Sequence, residues 1–472
     1  MSLTTDTAIL TIIKIANAVL SITAIAIFTN ELGAAAVGVF FLLQAVLGFL
    51  SIPADLGFQA ALLKRISEEG DLPDSDLLTT GAIIIGALLL LVSTAIAVAA
   101  PLLNNYFGQA LALYLIPAII TKEAGKLTRN LLKSELQYHS ATTAEAIRGV
   151  TFSVVGIAAI FNGGGPAHLV GSLILSYILM AAYCGWKAST PLGMISTEAA
   201  LSLWTYAKYS MVAFLDSMAY KWLDVIVIGV FLSPAAVGIY EIAWRVSKFV
   251  MLPTRSIEEF MLPQTSNWDT SGRREIIEST LPNALFASAF FIFPTLFGAV
   301  IVGDELLSTI FGFEFGAGAL VLLVLLFGRL VDATDGVLKT VIAGIDRMDL
   351  RARAVVMSLV SNIVLNVLLV PRYGIEGGAV ATVLSFGVST ALIGVYLHRE
   401  LSLRLPFTRY AWCVFASGIM LFVLYLGSLF INYQAFWVLI LAILIGGLTY
   451  ITVMLLHPPT RGEIWQIFDD IR

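Results

Sequence analysis

Eight lysines and arginines stand inside stretches otherwise apolar enough to lie in a bilayer: Lys14, Arg148, Lys208, Lys221, Arg245, Lys248, Arg329 and Lys339. One such residue at the centre of a spanning helix costs roughly 2.5–3.5 kcal/mol, so eight unpaired ones would cost on the order of 20 kcal/mol. They must be paired, face a water-filled cavity, or reach a helix end. Spacing helps to choose. On a helix turning ~100° per residue, Glu241, Arg245 and Lys248 fall within an arc of ~60°. Arg255 and Glu259 would extend that stripe, although Pro253 kinks or ends the helix between them. Lys122, Lys126, Arg129 and Lys133 share a similar arc, of ~60°. Arg329 and Asp332 are three residues apart, as are Lys221 and Asp224, with Asp216 two turns earlier. A cavity with a net basic lining suits a large anion, since diphosphates want fixed Lys and Arg donors and Arg binds oxygens bidentately. Carboxylates beside it (Asp216, Asp224, Glu241 and Asp332) could hydrogen-bond sugar hydroxyls or carry a coupling proton or cation.

The elements that must hold these charges follow from composition. The chain has 472 residues, 58% hydrophobic and 12% charged, and a mean hydropathy of +0.91. Soluble proteins are about 45–50% apolar and about 25% charged. Fourteen apolar stretches of spanning length are readable, at 8–28, 35–52, 79–100, 109–131, 144–161, 167–186, 208–231, 235–252, 282–302, 317–341, 354–370, 376–396, 410–430 and 435–456. Pro53, Pro101, Pro253 and Pro371 fall at or just past their ends, where a helix tolerates proline best. The connections average roughly 13 residues, which excludes a large soluble catalytic domain. Cys184 and Cys413 lie in apolar stretches, as packed small residues do, and the four histidines show no metal-ligand spacing. Neither a metal site nor a cofactor is expected. The first apolar stretch is of full spanning length and lacks a basic n-region, unlike a cleaved signal peptide.

Counted loop by loop, eighteen of the 27 Lys and Arg fall on the side of the N-terminus and only Arg372 on the other. The positive-inside rule then places both termini in the cytoplasm. The longest outside connection is read as 303–316. An internal repeat is also visible. Residues 32–53 and 232–253 share eight identities in 22 positions at a constant offset of 200, including Gly38 with Gly238 and Pro53 with Pro253. Stretch 2 maps onto stretch 8, so the halves have the same orientation. The expected fold is an all-α polytopic membrane protein of about 14 transmembrane helices. Two six-helix lobes form a parallel pseudo-repeat, 1–190 and 191–400, and residues 401–472 add two C-terminal helices and a cytoplasmic tail. Such repeats belong to transporters, with the substrate between the lobes.

Each charged group has a plainer reading beside the functional one. The Lys122–Lys133 stripe suits snorkelling into headgroups as well as cavity lining, and snorkelling is favoured for Lys208 and Lys339. Ion pairing between helices accounts equally well for Lys221 with Asp224 and for Arg329 with Asp332. The Glu241–Arg245–Lys248 stripe differs. Its repeat mate carries Phe41, Ala45 and Gly48 at the equivalent positions, and packing alone does not predict one charged copy and one apolar copy.

Two segments carry a family resemblance. One is DVIVIGVFL from Asp224 to Leu232, followed by VGIY from Val237 to Tyr240. The other is NVLLVPRYGIEGGAVAT from Asn366 to Thr382. On these the chain resembles the multidrug/oligosaccharidyl-lipid/polysaccharide exporter superfamily, and most of all its polysaccharide-transporter branch with the O-antigen-type flippases. The resemblance implies two lobes rocking between inward- and outward-open states. It implies export of an oligosaccharide linked by diphosphate to a polyprenol or dolichol, with no bond made or broken. Stretches 13 and 14 would form a lipid groove or a support. The basic lining would comprise Lys14, Lys122, Lys126, Lys221, Arg245, Lys248, Arg255 and Arg329. In lipid II flippases of the superfamily cavity arginines and an N-terminal basic residue matter, and Lys14 matches the latter by position only. The expected partners are the lipid-linked oligosaccharide, membrane lipid and glycan-assembly proteins, with no nucleic acid, and the expected state is a monomer. A proton or sodium ion is the expected coupling ion. Competing readings are a lipid II flippase, a drug/cation antiporter, whose cavity should be acidic, and a membrane-embedded glycan polymerase, ligase or glycosyltransferase. An enzyme of the last kind would carry a sizeable outside loop with catalytic Arg, His or Asp residues.

Overall fold

The computed structural model describes residues 3–68 and 70–456, without the side chains of residues 3–12, 14–15 and 212–221. The side chains of Lys14, Asp216 and Lys221 therefore lie outside the described residues. All regular structure among the described residues is helical. The chain opens with α1 (Leu3–Asp55), broken at Gly33, whose φ of 75° and ψ of 172° are accessible to glycine alone at low cost. Leu56 and Gly57, both left-handed, turn it into the short amphipathic α2 (Phe58–Ile66). Then come α3 (Asp74–Phe107), α4 (Leu115–Ser134), α5 (Tyr138–Phe161), α6 (Pro166–Lys187) and α7 (Thr197–Phe231). The remainder is α8 (Pro234–Phe249), α9 (Leu252–Thr270), α10 (Arg274–Ala289), α11 (Ile292–Phe311), α12 (Ala319–Gly344), α13 (Met348–Glu400), α14 (Phe407–Ser428) and α15 (Phe436–Leu455). Like α1, α13 breaks at a left-handed glycine, Gly374.

Nine helical segments among the described residues are long and apolar enough to cross a membrane, and the chain is a multi-pass membrane protein. Each of the fourteen apolar stretches overlaps a helix. The outer faces agree with a lipid surround. On α3, Leu90, Leu91, Val98 and Leu102 are each at least two-thirds exposed, although the helix is among the most apolar.

The structure departs from the sequence reading in three places. Residues 303–316 are not a loop: α11 runs on to Phe311 and a 3₁₀ turn covers Phe313–Gly318. Leu307 and Phe311 keep a buried apolar face running past Asp304 and Glu305, and Gly312, at φ 109°, ends the helix. The polar segment after Pro253 is a helix, α9, because Thr254, Met261 and Thr265 recur at helical spacing and are buried. Pro53, Pro101 and Pro371 lie inside helices that run on beyond them.

The chain divides into two compact units, residues 1–238 and 239–472. In the first, α7 packs on α1, α2 and α3; in the second, α14 and α15 pack on α11. The two units use the same local turns. Leu136 after α4 and Asp346 after α12 both take φ 59°, each inside the same pattern of three backbone hydrogen bonds. A left-handed glycine and a 3₁₀ turn precede both α4 and α12, at Gly108 and Gly312.

Two details of the first unit fix how its helices meet. Where α1 meets the start of α8, a Cβ on Gly38 would stand 1.7 Å from Pro234 O, and one on Gly238 would stand 2.3 Å from Ala34 O. The repeat-matched glycines thus serve one close backbone approach. The connection from α6 to α7 is strapped down by side chains. Glu135 accepts from the Ser189 and Thr190 N–H groups, Thr79 Oγ1 from Gly193 N–H, Asp76 from Met194 N–H, and Thr80 Oγ1 from Ser196 N–H. Ser196 then caps α7 by accepting from Ala199 N–H.

Candidate substrate-binding site

In the second unit the stripe on α8 is built around a charge-assisted pair. Glu241 Oε1 accepts from Arg245 Nε at 2.9 Å and Nη2 at 2.8 Å, while Glu241 Oε2 has no hydrogen-bond partner among the described residues. Glu241 is 4% exposed; the Arg245 side chain is 30% exposed. The acid is sealed in and the base reaches out, so the stripe presents positive charge. Lys248 lies 5.1 Å from the centre of the Trp244 ring. The stripe stops at the helix break of Val250 and Met251. Pro253 lies in the first turn of α9, and Arg255 and Glu259 are exposed on the new helix.

Arg329 of α12 is buried and belongs to the same group. Its guanidinium sits 4.2 Å from the Trp244 ring centre, donates to Ser247 Oγ at 3.2 and 3.1 Å, and pairs with Asp332 Oδ2 at 2.9 Å. Tyr240 stacks on Trp244 from the preceding turn. Trp244 thus gathers Lys248, Arg329 and Tyr240. Lys339 pairs with Asp335 at 2.7 Å.

In the first unit the stripe on α4 turns towards α1 and α2. Lys122 Nζ donates to Ser51 Oγ at 2.6 Å and Leu47 O at 3.2 Å. Lys126 Nζ sits between Asp55 Oδ2 at 2.7 Å and Glu123 Oε2 at 3.4 Å, two carboxylates almost wholly buried. Gln59 and Asn130 complete this network, Gln59 Nε2 donating to Glu123 Oε2 at 2.7 Å and Asn130 Nδ2 to Gln59 Oε1 at 3.4 Å. Glu145 holds both Arg129 and Arg148, and Arg148 also lies over Tyr177. Asp224 on α7 is buried.

The face of α1 that corresponds to the α8 stripe is dry for a packing reason. Phe41 and Ala45 are buried, and a Cβ on Gly48 would stand 2.3 Å from Trp222 Nε1 of α7. An indole fills the place where a Lys248 counterpart would project. Sequence reasoning overlooked Trp244 and Ser247, which read as filler in an apolar run. It also passed over Asp55, Glu123, Glu258 and Asp335, because the only acids weighed were those read beside the bases of the stripes on α7, α8 and α12. Glu123 three residues before Lys126 and Asp335 four before Lys339 were the available signals. No group of His, Cys, Asp and Glu among the described residues is arranged to hold a metal ion. A further cavity of about 280 Å³ in the second unit lies between α11, α12, α14 and α15, with Phe291, Gly298, Leu322, Met420 and Gly446 on its wall.

Residues 31–317 match the family described as polysaccharide biosynthesis protein. The chain belongs to that family. This polysaccharide biosynthesis protein is 34% identical over 442 residues to the "Probable low-salt glycan biosynthesis flippase Agl15" of Haloferax volcanii, covering 94% of this chain and 93% of that one. It is 29% identical to the "Probable flippase AglR" of the same organism, over 93% of each chain. Among solved structures, the family member is similar to lipid II flippase MurJ in an inward closed conformation. That match has a TM-score of 0.81 at 16% identity and covers 95% of this chain and 98% of that one. An inward-facing multidrug resistance MATE transporter follows at TM-score 0.67 and 14% identity, covering 82% and 94%. At such identities these likenesses bear on the fold alone.

Proposed function

We propose that the protein is a flippase for a lipid-linked oligosaccharide, serving glycan assembly at the cytoplasmic membrane. The observation that carries the reading is the likeness, over nearly the whole chain, to relatives named as glycan biosynthesis flippases. The physical need is plain. A sugar head with phosphates cannot cross ~30 Å of hydrocarbon unaided, because every charge and unpaired hydroxyl would be desolvated. A protein cavity replaces those water contacts on each side in turn, without making or breaking a bond in the substrate.

In this reading about fourteen spans form two six-helix lobes, 1–190 and 191–400, that alternate access, and both termini face the cytoplasm. Arg245 and Lys248 grip the diphosphate, with Lys14, Lys122, Lys126, Lys221, Arg255 and Arg329 as further basic groups along the path. Asp216, Asp224, Glu241 and Asp332 hold sugar hydroxyls, pair the bases or bind a proton or sodium ion. The apolar cavity beside α14 and α15 accommodates part of the lipid tail. The protein works as a monomer, without a cofactor, alongside the glycan-assembly proteins that use its product.

The test is transport of a labelled diphosphate-linked oligosaccharide lipid in reconstituted vesicles, comparing wild type with Arg245→Ala/Lys248→Ala. Flipping by wild type that is lost in the double variant supports both the function and the stripe. Flipping unchanged in the variant keeps the function and makes the stripe structural. No flipping by wild type with any of several glycan lipids overturns the function.

A further inference from the structure

Next to the α8 stripe, the second unit brings three carboxylates together where α9 meets α12. Glu258 of α9 lies over Gly336: a Cβ on Gly336 would stand 1.8 Å from Glu258 Oε1, so the carboxylate occupies space that only glycine leaves open. The charged groups around it are Asp332, Asp335 and Lys339 of α12 and Arg255 of α9 itself. Glu278 of α10, the other helix packed against α9, is engaged by the Ser402 N–H at 2.7 Å. Asp335 is 2% exposed and its Oδ2 holds Lys339. Ser389 of α13, fully buried, faces the same carboxyl.

Counting partners singles out one acid. Asp332 is held by Arg329 and Asp335 by Lys339, whereas Glu258 has no ion pair among the described residues. α9 is not among the helices apolar enough to cross a membrane. Burial first, then the charge of Asp332, pushes the Glu258 carboxyl up to about 7.

From this arrangement we propose that Glu258 is a proton-binding site whose state governs the α8 stripe through Asp332 and Arg329. The proton comes from bulk water to a carboxylate oxygen of Glu258 and returns there. With Glu258 neutral, Asp332 feels no repulsion from it and holds Arg329 firmly against Ser247 and Trp244, the residue that also carries Lys248. With Glu258 ionised, two like charges face each other across the α9–α12 contact and that link between α12 and α8 loosens. The value of this device to transport rests on the flippase reading; the proton site and its link to the stripe do not.

Purified full-length protein in lipid nanodiscs, without substrate, provides the test. Lowering the pH from about 8 to about 6 should load about one proton fewer per chain on Glu258→Gln than on wild type, read with an indicator dye. Phe249→Cys puts a reporter beside Lys248 at a 44% exposed position, while Cys184 and Cys413 are buried. Its alkylation rate should change over the same pH range, and that change should be lost in Phe249→Cys/Glu258→Gln. If the Gln variant folds poorly, Glu258→Asp withdraws the charge from Gly336 and should move the midpoint towards that of an ordinary carboxylate. Equal proton loading of wild type and Glu258→Gln overturns the site. A labelling rate that stays pH-dependent in the double variant overturns its link to the stripe. Neither readout uses a glycan lipid, so a failure of transport counts against the flippase function alone.

Discussion

The Arg329 guanidinium lies 4.2 Å from the centre of the Trp244 ring, with Asp332 and Ser247 completing its contacts. Exposure decides which partner matters more. Arg329 is 2% exposed, whereas the Asp332 side chain is 28% exposed and can be rehydrated if its partner goes. Asp332→Ala should therefore cost about 3–5 kcal/mol, the usual result of stranding a buried charge. Arg329→Met, which fills the space with apolar atoms, should cost about 1 kcal/mol or less. Thermal unfolding of detergent-purified variants checks the order; a larger loss in Arg329→Met would contradict it.

Gly38→Ala should be far more damaging than an ordinary overpacking change of about 1–3 kcal/mol, because the new methyl would meet the backbone oxygen of Pro234. Gly171→Ala on α6, where a Cβ would meet no atom of the described residues within 4 Å, should be neutral or gain up to about 1 kcal/mol from helix propensity. Yield and melting temperature of the two variants separate close approach from a general intolerance of glycine replacement.

The strap between α6 and α7 carries a pH signature. Burial raises the Glu135 carboxyl, and the hydrogen bonds from Thr190 and Ser189 outweigh it, leaving the group below the ordinary carboxylate range. A depressed acid stabilises the fold above its unfolded value of about 4.3 and loses that contribution as pH falls through its lower folded value. Hydrogen exchange at Ser189 and Thr190, corrected for intrinsic pH dependence, should stay slow at neutral pH and quicken only in acid. In Glu135→Gln, whose amide oxygen still accepts but carries no charge and does not titrate, protection should be weaker and should lose its acid-dependent step.

Membrane orientation can be read with single cysteines. Gly303 is buried in α11 and makes a poor reporter, whereas Phe313 in the following 3₁₀ turn is 92% exposed. Phe313→Cys should react with an impermeant reagent added outside intact cells, and Ser271→Cys should react only after the membrane is opened. The opposite pattern would invert the proposed topology.

Much of this was legible in the sequence, for physical reasons. Apolar runs of spanning length announce helices whatever their neighbours do, and Gly38 with Gly238 signalled a repeat before any contact was known. The pairs Glu241–Arg245 and Arg329–Asp332 could be read because both partners lie on one helix at i, i+4 or i, i+3. Lys126 with Asp55 could not, because the partners are 71 residues apart and no periodicity links α4 to the end of α1. Nor could Trp244, since an indole in an apolar run looks the same whether it packs against leucine or under a guanidinium. α9 escaped because a search tuned to hydropathy passes over a polar helix.

The clamp of Lys126 between Asp55 and Glu123 also bears on how the chain is made. α4 carries Lys122, Glu123, Lys126, Arg129 and Lys133 in twenty residues and is not among the helices apolar enough to cross a membrane on their own. Charged residues near a helix centre each cost a few kcal/mol when a translocon offers the segment to lipid. The emerging α4 thus has no reason to leave the channel alone. It enters once α1 and α2 are beside it and can offer Asp55, Gln59 and Ser51 to its charges. The insertion of α4 is then tied to helices already made, so its place in the bilayer is set by α1 and α2 rather than by its own hydropathy.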